Sequence, residues 1–179
     1  MNDLPKPQTL GLKPSFGFGD RLGLATPGHI LAAKRGNMIP VFAQQSVREM
    51  ERTGRTPKDV MTAAQKSLKK AGWAQRWGAD ADHLKTQQEV INLALAGFTF
   101  FTIDPSDYVA NQADWLTGID LQNEVEEVIN AGAFESIDQI EQLYLNQTVE
   151  LNDQLAISCD AREELFRAVI KYGKAVDYA

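Results

Sequence analysis

Short apolar runs alternate with amphipathic stretches along the first hundred residues. The runs fall near residues 16–18 and at 38–43, 77–81 and 98–103. Between the second and third runs, apolar side chains recur at helical spacing on one face, at Val60, Ala64, Leu68 and Ala71. Because consecutive parallel strands need crossover helices, this order predicts an α/β fold with a parallel sheet of about four strands.

The same pattern predicts how deeply the end of this series is buried. Residues 98–103 are continuously apolar or small, which predicts a buried strand, and the helix at 87–96 is apolar nearly all round, which predicts that it is mostly buried. After residue 104 the rhythm breaks. Helical patterns cover 121–131 and 137–145, a hairpin is predicted at 147–157, and a last helix starts near 160. We interpret residues 1–14 as an arm and 105–159 as an acidic insertion.

Charge and composition exclude several classes of protein. Charged residues make up 23% of the 179 residues and hydrophobic ones 44%, as in globular proteins. No apolar run is long enough to span a membrane, and one cysteine fits a reducing compartment, so we predict a cytoplasmic location. Residues 86–161 contain fourteen acidic side chains and no Lys or Arg, which argues against nucleic acid as a partner.

The most reactive side chains of the sequence are concentrated between Gly78 and Lys85. Asp82 and His83 offer a general base beside a metal ligand, although Asp80 and Asp82 could instead end a strand and cap a helix. Adjacent residues of a regular strand point to opposite faces. Asp82 and His83 can therefore share a pocket only where the strand is bulged or ends.

Polar side chains that follow the predicted strands are candidates for substrate binding. Guanidinium groups suit a carboxylate, and glutamine amides suit sugar hydroxyls. Helix capping would explain the aspartates equally well. The candidates are Asp20, Arg21, Gln44, Gln45, Arg48 and Asp104.

The strand ends carry four blocks that resemble one known family, the tagaturonate epimerases of hexuronate catabolism. One block is Gly78-Ala79-Asp80-Ala81-Asp82-His83, and the others are residues 15–23, 42–49 and 98–107. The resemblance implies a (β/α) barrel of the TIM type that epimerises a keto-hexuronate, an anionic sugar acid, beside its ketone. It also implies that Asp82 is the proton acceptor and that His83 is a ligand of a divalent metal.

Members of that family resemble this chain extended by a long second half, which holds the other metal ligands and the proton donor. The resemblance therefore implies that residues 1–179 are one portion of a larger barrel domain, a fragment that self-associates or lacks its C-terminal half. Two rival interpretations stay open. One is an aldolase-like barrel that forms a Schiff base on Lys85, and the other is a truncated half-barrel without activity.

Overall fold

The computed structural model describes residues 4–152 and 154–179, and it forms two compact units, Met1–Asp104 and Pro105–Ala179. Residues 1–3 of the predicted arm and Asp153 of the predicted hairpin lie outside the described residues. The prediction that the whole chain is a portion of one barrel domain stays a prediction. Each unit is described by itself below.

The first unit is a parallel sheet whose strands alternate with helices, as predicted. The strands lie side by side in chain order and are β1 Ser15–Gly19, β2 Ile39–Gln44, β3 Gly78–Leu84 and β4 Phe100–Ile103. The helices are α1 Thr26–Ala33, α2 Val47–Thr53, α3 Pro57–Lys70 and α4 Gln87–Leu95. The α/β prediction with four parallel strands is therefore confirmed.

The helices cover one face of this sheet and leave the other face to the polar side chains. Phe42, Ala79 and Leu84 of the strands belong to the same buried cluster as Ile30 of α1 and Leu68 of α3. Capping boxes start three of the helices, at Ser46 with Glu49, Thr56 with Asp59 and Thr86 with Glu89. These boxes fix where α2 and α4 begin, directly after the carboxyl ends of β2 and β3.

The predicted burial of β4 and α4 is wrong. Phe100 and Phe101 are exposed, and among the described residues β4 pairs only with β3, so one of its sides has no neighbouring strand. In α4 only Leu93 is buried, whereas Leu95 is 83% exposed. Continuous apolar sequence indicates that a surface can be covered, but these two surfaces are exposed in the described part of the chain.

Two strands of the sheet are bulged near their carboxyl ends. Opposite Gly17–Gly19 of β1, the strand β2 contains one residue more than β1. Near its carboxyl end, β3 likewise contains one residue more than β4. Each bulge contains a non-glycine residue with positive φ, Ala43 at 59° and His83 at 56°. Such a backbone is uncommon outside glycine, and bulges of this kind often re-aim side chains next to active sites.

The N-terminal arm closes the opposite end of the sheet. The Gln8 backbone N–H donates a hydrogen bond of 2.8 Å to the Trp77 carbonyl, just before β3 begins. Leu10 is buried there, and a Cβ built on Gly78 would lie 3.0 Å from its Cδ1. The absence of a side chain at Gly78 therefore makes room for Leu10 against the start of β3.

We expect replacement of Leu10 by alanine to lower the free energy of unfolding of the first unit by about 2 kcal/mol, because a buried leucine is lost and a cavity is left. Leu12→Ala is the matched control, since Leu12 lies two residues away and is fully exposed. Urea unfolding of both variants measures the difference. Equal stability of the two variants would contradict the packing described for the arm.

The second unit has a helical core of its own. Its helices are α5 Gly118–Asn130, α6 Ile137–Tyr144 and α7 Arg162–Tyr178, and a hairpin of β5 Thr148–Asn152 and β6 Leu155–Ser158 precedes α7. Val125, Ile140 and Phe166 belong to one buried cluster, so α7 packs with α5 and α6. The predicted helical segment after the fourth strand is confirmed. No helix in the described part of the chain is long and apolar enough to cross a membrane.

Candidate active site

Asp80 joins three strands at the centre of the polar face of the sheet. It is only 3% exposed, and it accepts hydrogen bonds from Gln44 Nε2 of β2 at 2.9 Å and from Thr102 Oγ1 of β4 at 3.0 Å. Burial raises the pKa of its carboxyl to about 6; the charge of Asp82 acts in the same direction, and the two hydrogen bonds oppose it. Asp80 is thus a structural centre of this face.

The bulge in β3 brings Asp82 and His83 to one side. His83 Nε2 lies 3.7 Å from Asp82 Oδ2, and its Nδ1 lies 3.5 Å from Asp104 Oδ2, at the end of β4. A regular strand would have separated neighbouring side chains. The sequence-based condition for a shared site, a local bulge, is therefore met.

Asp82 has the environment of a general base. It is partly buried, and burial raises the pKa of its carboxyl. The neighbouring His83 acts against this shift, whereas the negative charges of Glu49 and Asp104 add to it. A carboxylate whose pKa is raised accepts a proton more readily near neutral pH, because proton transfer is most efficient when the pKa of the base lies near the working pH.

Gln44 is held in one orientation by its neighbours. Its Nε2 donates to Asp80, and its Oε1 lies over β1, 2.7 Å from where a Cβ of Gly17 would be. Gly17 is therefore needed for the close approach of this amide. The predicted role of Gln44 in substrate binding is untested. Its Nε2 is used in the hydrogen bond to Asp80, and its Oε1 is the atom that can accept a hydrogen bond.

Asp20 holds the loop between β1 and α1. Its carboxylate accepts hydrogen bonds from the backbone N–H of Gly23 at 2.7 Å, Leu24 at 3.1 Å and Ala25 at 2.7 Å. These bonds occupy a side chain that is itself 8% exposed. They account for Asp20 without a ligand, and its predicted role in substrate binding stays a prediction.

Gln45 is buried beneath the same loop. Its Nε2 donates to the Arg21 carbonyl at 2.8 Å and to Thr53 Oγ1 at 3.2 Å, and its Oε1 accepts from Arg55 Nη1 at 2.8 Å. With 1% exposure its side chain lies away from the open face. These contacts indicate support of the loop, while the predicted contact of Gln45 with substrate is untested.

The three remaining cations near the site differ in their contacts. The Arg21 side chain is 85% exposed, with its Nε 3.3 Å from Glu49 Oε1. Arg48 is exposed, and within residues 4–152 and 154–179 it makes no hydrogen bond or ion pair. Lys85 is half-buried, and its backbone N–H donates to the Glu89 carboxylate at 2.7 Å. Arg21 and Arg48 are therefore the cations best placed to meet an anion.

Asp82, His83 and Asp104 lie close together and are of the residue types that bind divalent metals. Imidazole and carboxylate are suitable ligands for a divalent metal. However, the two nitrogens of His83 face different carboxylates, and no group of three or more His, Cys, Asp or Glu within residues 4–152 and 154–179 is placed to hold an ion. His83 can contribute one ligand at most.

His83→Asn should retain the backbone of the bulge, and His83→Val should not. Asparagine tolerates a φ of 56°, whereas a β-branched residue is strained there. We expect the valine variant to be less stable than the asparagine variant by about 1–2 kcal/mol. Thermal or urea unfolding of the pair measures this difference. Equal stabilities would show that the positive φ carries no strain.

Comparisons with known proteins identify the family of the chain. A family model described as tagaturonate epimerase, UxaE, matches residues 2–179. The chain belongs to the tagaturonate epimerase family. The resemblance inferred from the four strand-end blocks is thereby confirmed.

Two relatives of this member of the tagaturonate epimerase family have much longer chains than its 179 residues. This chain is 44% identical over 142 residues to a tagaturonate/fructuronate epimerase of Thermotoga maritima, which covers 79% of this chain and 28% of that protein. Crystal structures of fructuronate-tagaturonate epimerase UxaE from Cohnella laeviribosi, with one and with two bound glycerols, match with TM-scores of 0.83 and 0.84 at 33% identity. They cover 97% of this chain and 34% of the Cohnella chain. The chain therefore spans about a third of the length of these relatives.

Four residues near the site were not among the sequence-based candidates for catalysis or binding: Asp80, Thr102, Glu49 and Arg55. The sequence suits Asp80 either as the end of a strand or as part of the scaffold, and in the structure it links three strands. Glu49 was recognisable only as the third residue of a helix, where a capping box explains it. Its proximity to Arg21 and Asp82 depends on pairing between strands, for which one sequence carries no direct signal.

Proposed function

We propose that this chain carries the proton-abstracting part of a hexuronate epimerase, with tagaturonate or fructuronate as substrate. The observation that supports the proposal most is the Asp82–His83 bulge, which presents a carboxylate of raised pKa at the open face of the sheet. The names of the Thermotoga and Cohnella relatives indicate the substrate class.

Tagaturonate and fructuronate differ in configuration at the second carbon from the ketone, so the expected abstraction of a proton beside the ketone would not interconvert them. In the proposed reaction Asp82 takes the proton of the hydroxyl on that second carbon and becomes the neutral acid. The bond between that carbon and the carbon next to the ketone breaks, which leaves an aldehyde and an enediolate. The enediolate adds to the opposite face of the aldehyde, and the new alkoxide takes the proton back, which gives the epimer. The carboxyl of Asp80 is 3% exposed and holds the strand ends together.

Binding of the acid is assigned to the cations at the edge of the site. Arg21 is exposed on the β1–α1 loop, and Arg48 lies near the start of α2. A planar guanidinium can hold a carboxylate through two parallel hydrogen bonds. The Gln44 amide is fixed by Asp80, and its Oε1 would accept a hydrogen bond from a substrate hydroxyl.

His83 is proposed as one ligand of a divalent metal whose other ligands lie outside the described residues. Such a metal would polarise the ketone and stabilise the enediolate. Calorimetric titration of Mn²⁺ into the chain and into His83→Asn tests this assignment independently of turnover. Identical binding by the two proteins would remove His83 from the ligand set.

The open edges of the sheet suggest how the barrel is completed. Phe16 of β1 and Phe100 of β4 are each more than half exposed, and unpaired strand edges readily accept further strands. We propose that these edges pair with a second copy or with a polypeptide equivalent to the rest of the longer relatives. Gel filtration distinguishes the two cases, because a self-associated chain elutes at twice the monomer mass or more, whereas a chain that pairs with a separate polypeptide elutes as a monomer when it is alone.

The proposed activity is tested by incubating the chain with tagaturonate in D₂O. Cleavage and re-formation of the carbon–carbon bond should produce fructuronate that keeps the original hydrogen on the epimerised carbon. Deuterium on the epimerised carbon would indicate that the proton is removed from that carbon itself, and it would contradict the proposed step. Absence of fructuronate, with Mn²⁺ present, would refute the activity for this chain.

A further inference from the structure

We propose that Arg55 is a positioning residue that fixes Arg21 for the carboxylate of the substrate by acting through Gln45. This inference rests on the proposed function, because it assigns Arg21 to an anionic sugar. Arg55 itself lies between α2 and α3, and its guanidinium donates to Gln45 Oε1 and to the Asp59 carbonyl.

A continuous chain of hydrogen bonds joins Arg55 to Arg21. Arg55 Nη1 donates to Gln45 Oε1 at 2.8 Å, and Gln45 Nε2 donates to the backbone carbonyl of Arg21 at 2.8 Å. The same guanidinium donates from Nη2 to the Asp59 carbonyl at 3.3 Å, which anchors it to the first turn of α3. The orientation of the Gln45 amide is therefore set by a donor that cannot lose its proton.

The loop is shaped to admit this guanidinium. Gly23 has a φ of +71°, and a Cβ built there would lie 1.4 Å from Arg55 Nη1. Any side chain at Gly23 would therefore collide with Arg55. The close approach is possible only because residue 23 is glycine.

The region around this network is too small to be a ligand site. An enclosed cavity lined in part by Asp20, Gln45 and Arg55 has a volume of about 10 Å³, which admits one water molecule at most. Asp20 holds the other side of the loop through three backbone N–H groups. The polar side chains below the loop thus act on its backbone, and Arg21 is the exposed charged side chain of the loop.

A fixed backbone under an exposed arginine favours binding of a charged group. The long Arg21 side chain is 85% exposed and has one ion-pair partner, Glu49, at 3.3 Å. A rigid loop reduces the number of conformations that Arg21 must lose when it binds an anion, which raises affinity. Loosening the loop should therefore weaken recognition of a carboxylate more than recognition of the sugar hydroxyls.

The test compares Arg55→Lys with the wild-type chain in calorimetric titrations with fructuronate and with fructose. Fructose carries a hydroxymethyl group where the uronate carries its carboxylate. Lysine keeps the charge but lacks the planar fork that reaches both Gln45 and Asp59. We expect affinity for fructuronate to fall about tenfold, while affinity for fructose is unchanged. The matched control is Arg52→Lys, an exposed arginine in α2.

A cycle with Arg21→Lys shows whether the effect passes through Arg21. In that background Arg55→Lys should cause no further loss of fructuronate affinity. An equal loss for fructuronate and fructose would overturn the inference, since it would indicate a general defect in folding. An unchanged affinity for both sugars would overturn it as well.

Amide hydrogen exchange separates this inference from the proposed function. If the wild-type chain binds neither sugar, the proposed substrate is wrong, and the carboxylate role of Arg21 falls with it. The exchange of the Gly23 and Leu24 amides, which bond to Asp20, then decides whether Arg55 holds the loop. Exchange about tenfold faster in Arg55→Lys and unchanged in Arg52→Lys supports the hydrogen-bonded chain. Equal exchange in all three proteins refutes it.

Discussion

Replacing Asp82 with asparagine is expected to lower the rate of tagaturonate epimerisation by about a hundredfold to ten-thousandfold, the range associated with loss of a general base. Asparagine keeps the size of the side chain and removes its ability to take a proton. The partial burial of Asp82 and the nearby charges of Glu49 and Asp104 raise its pKa, so the wild-type carboxylate is a stronger base than an exposed aspartate. The measurement is the rate at which fructuronate forms from tagaturonate.

Asp120→Asn is a suitable control for this substitution, because Asp120 is an exposed aspartate at the start of α5 in the other unit. It should retain the wild-type rate. The stability of Asp82→Asn should be measured in parallel, since a loss of folding would also lower the rate. A correctly folded Asp82→Asn variant with more than about a tenth of wild-type turnover would exclude Asp82 as the base.

The second large effect is a dependence of stability on pH that originates at Asp80. Its pKa is raised from 3.8 to about 6 in the folded protein. Between these values the folded chain keeps a proton that the unfolded chain has released, so the free energy of unfolding falls as pH rises from about 4 to about 6. The contribution of Asp80 to this fall is about 3 kcal/mol. Below pH 4 its stabilising effect is complete, and above pH 6 it is absent.

Asp80→Asn should flatten this dependence, because an amide does not titrate and its oxygen can still accept from one of the two donors, Thr102 or Gln44. Urea unfolding followed by tryptophan fluorescence suits the measurement, since Trp73 and Trp77 are buried in the first unit and Trp115 is largely exposed. Glu51→Gln, an exposed position in α2, should retain the wild-type dependence. An unchanged slope in Asp80→Asn would show that Asp80 is not the group responsible.

Features that depend on local sequence were predictable in this chain. The capping box of Thr86 and Glu89 is visible within four residues, and it starts α4 where expected. The alternation of apolar runs with helical patterns predicted the parallel strands, because each connection must cross the sheet. The candidate roles of Asp82 and His83 were predicted from their residue types and from the block of residues 78–83 that contains them.

Features that depend on contacts between distant residues were not predictable. Thr102 and Gln44 lie 22 and 36 positions from Asp80, and only the pairing of β2, β3 and β4 brings them together. Arg55 was indistinguishable from a solvated turn residue until its bond to Gln45 was seen. The burial of β4 was predicted wrongly because apolar sequence is compatible with a strand at the edge of a sheet, and it does not specify what lies beside that strand.

The two bulges also determine how the sequence of this chain can be aligned and altered. An extra residue inverts the parity of every position that follows it, so Gln44 shares a face with Val41, three residues before it, and bonds to Asp80. Strict alternation would have turned Gln44 toward the helices. Deletion of Ala43 would restore a regular strand in which Gln44 follows Phe42 directly and stays opposite Gly19. Insertion of a residue elsewhere in β2, without a compensating bulge, would instead turn Gln44 toward the helices. An alignment of this chain should therefore place one-residue gaps of β2 and β3 at Ala43 and His83, where the extra residues lie.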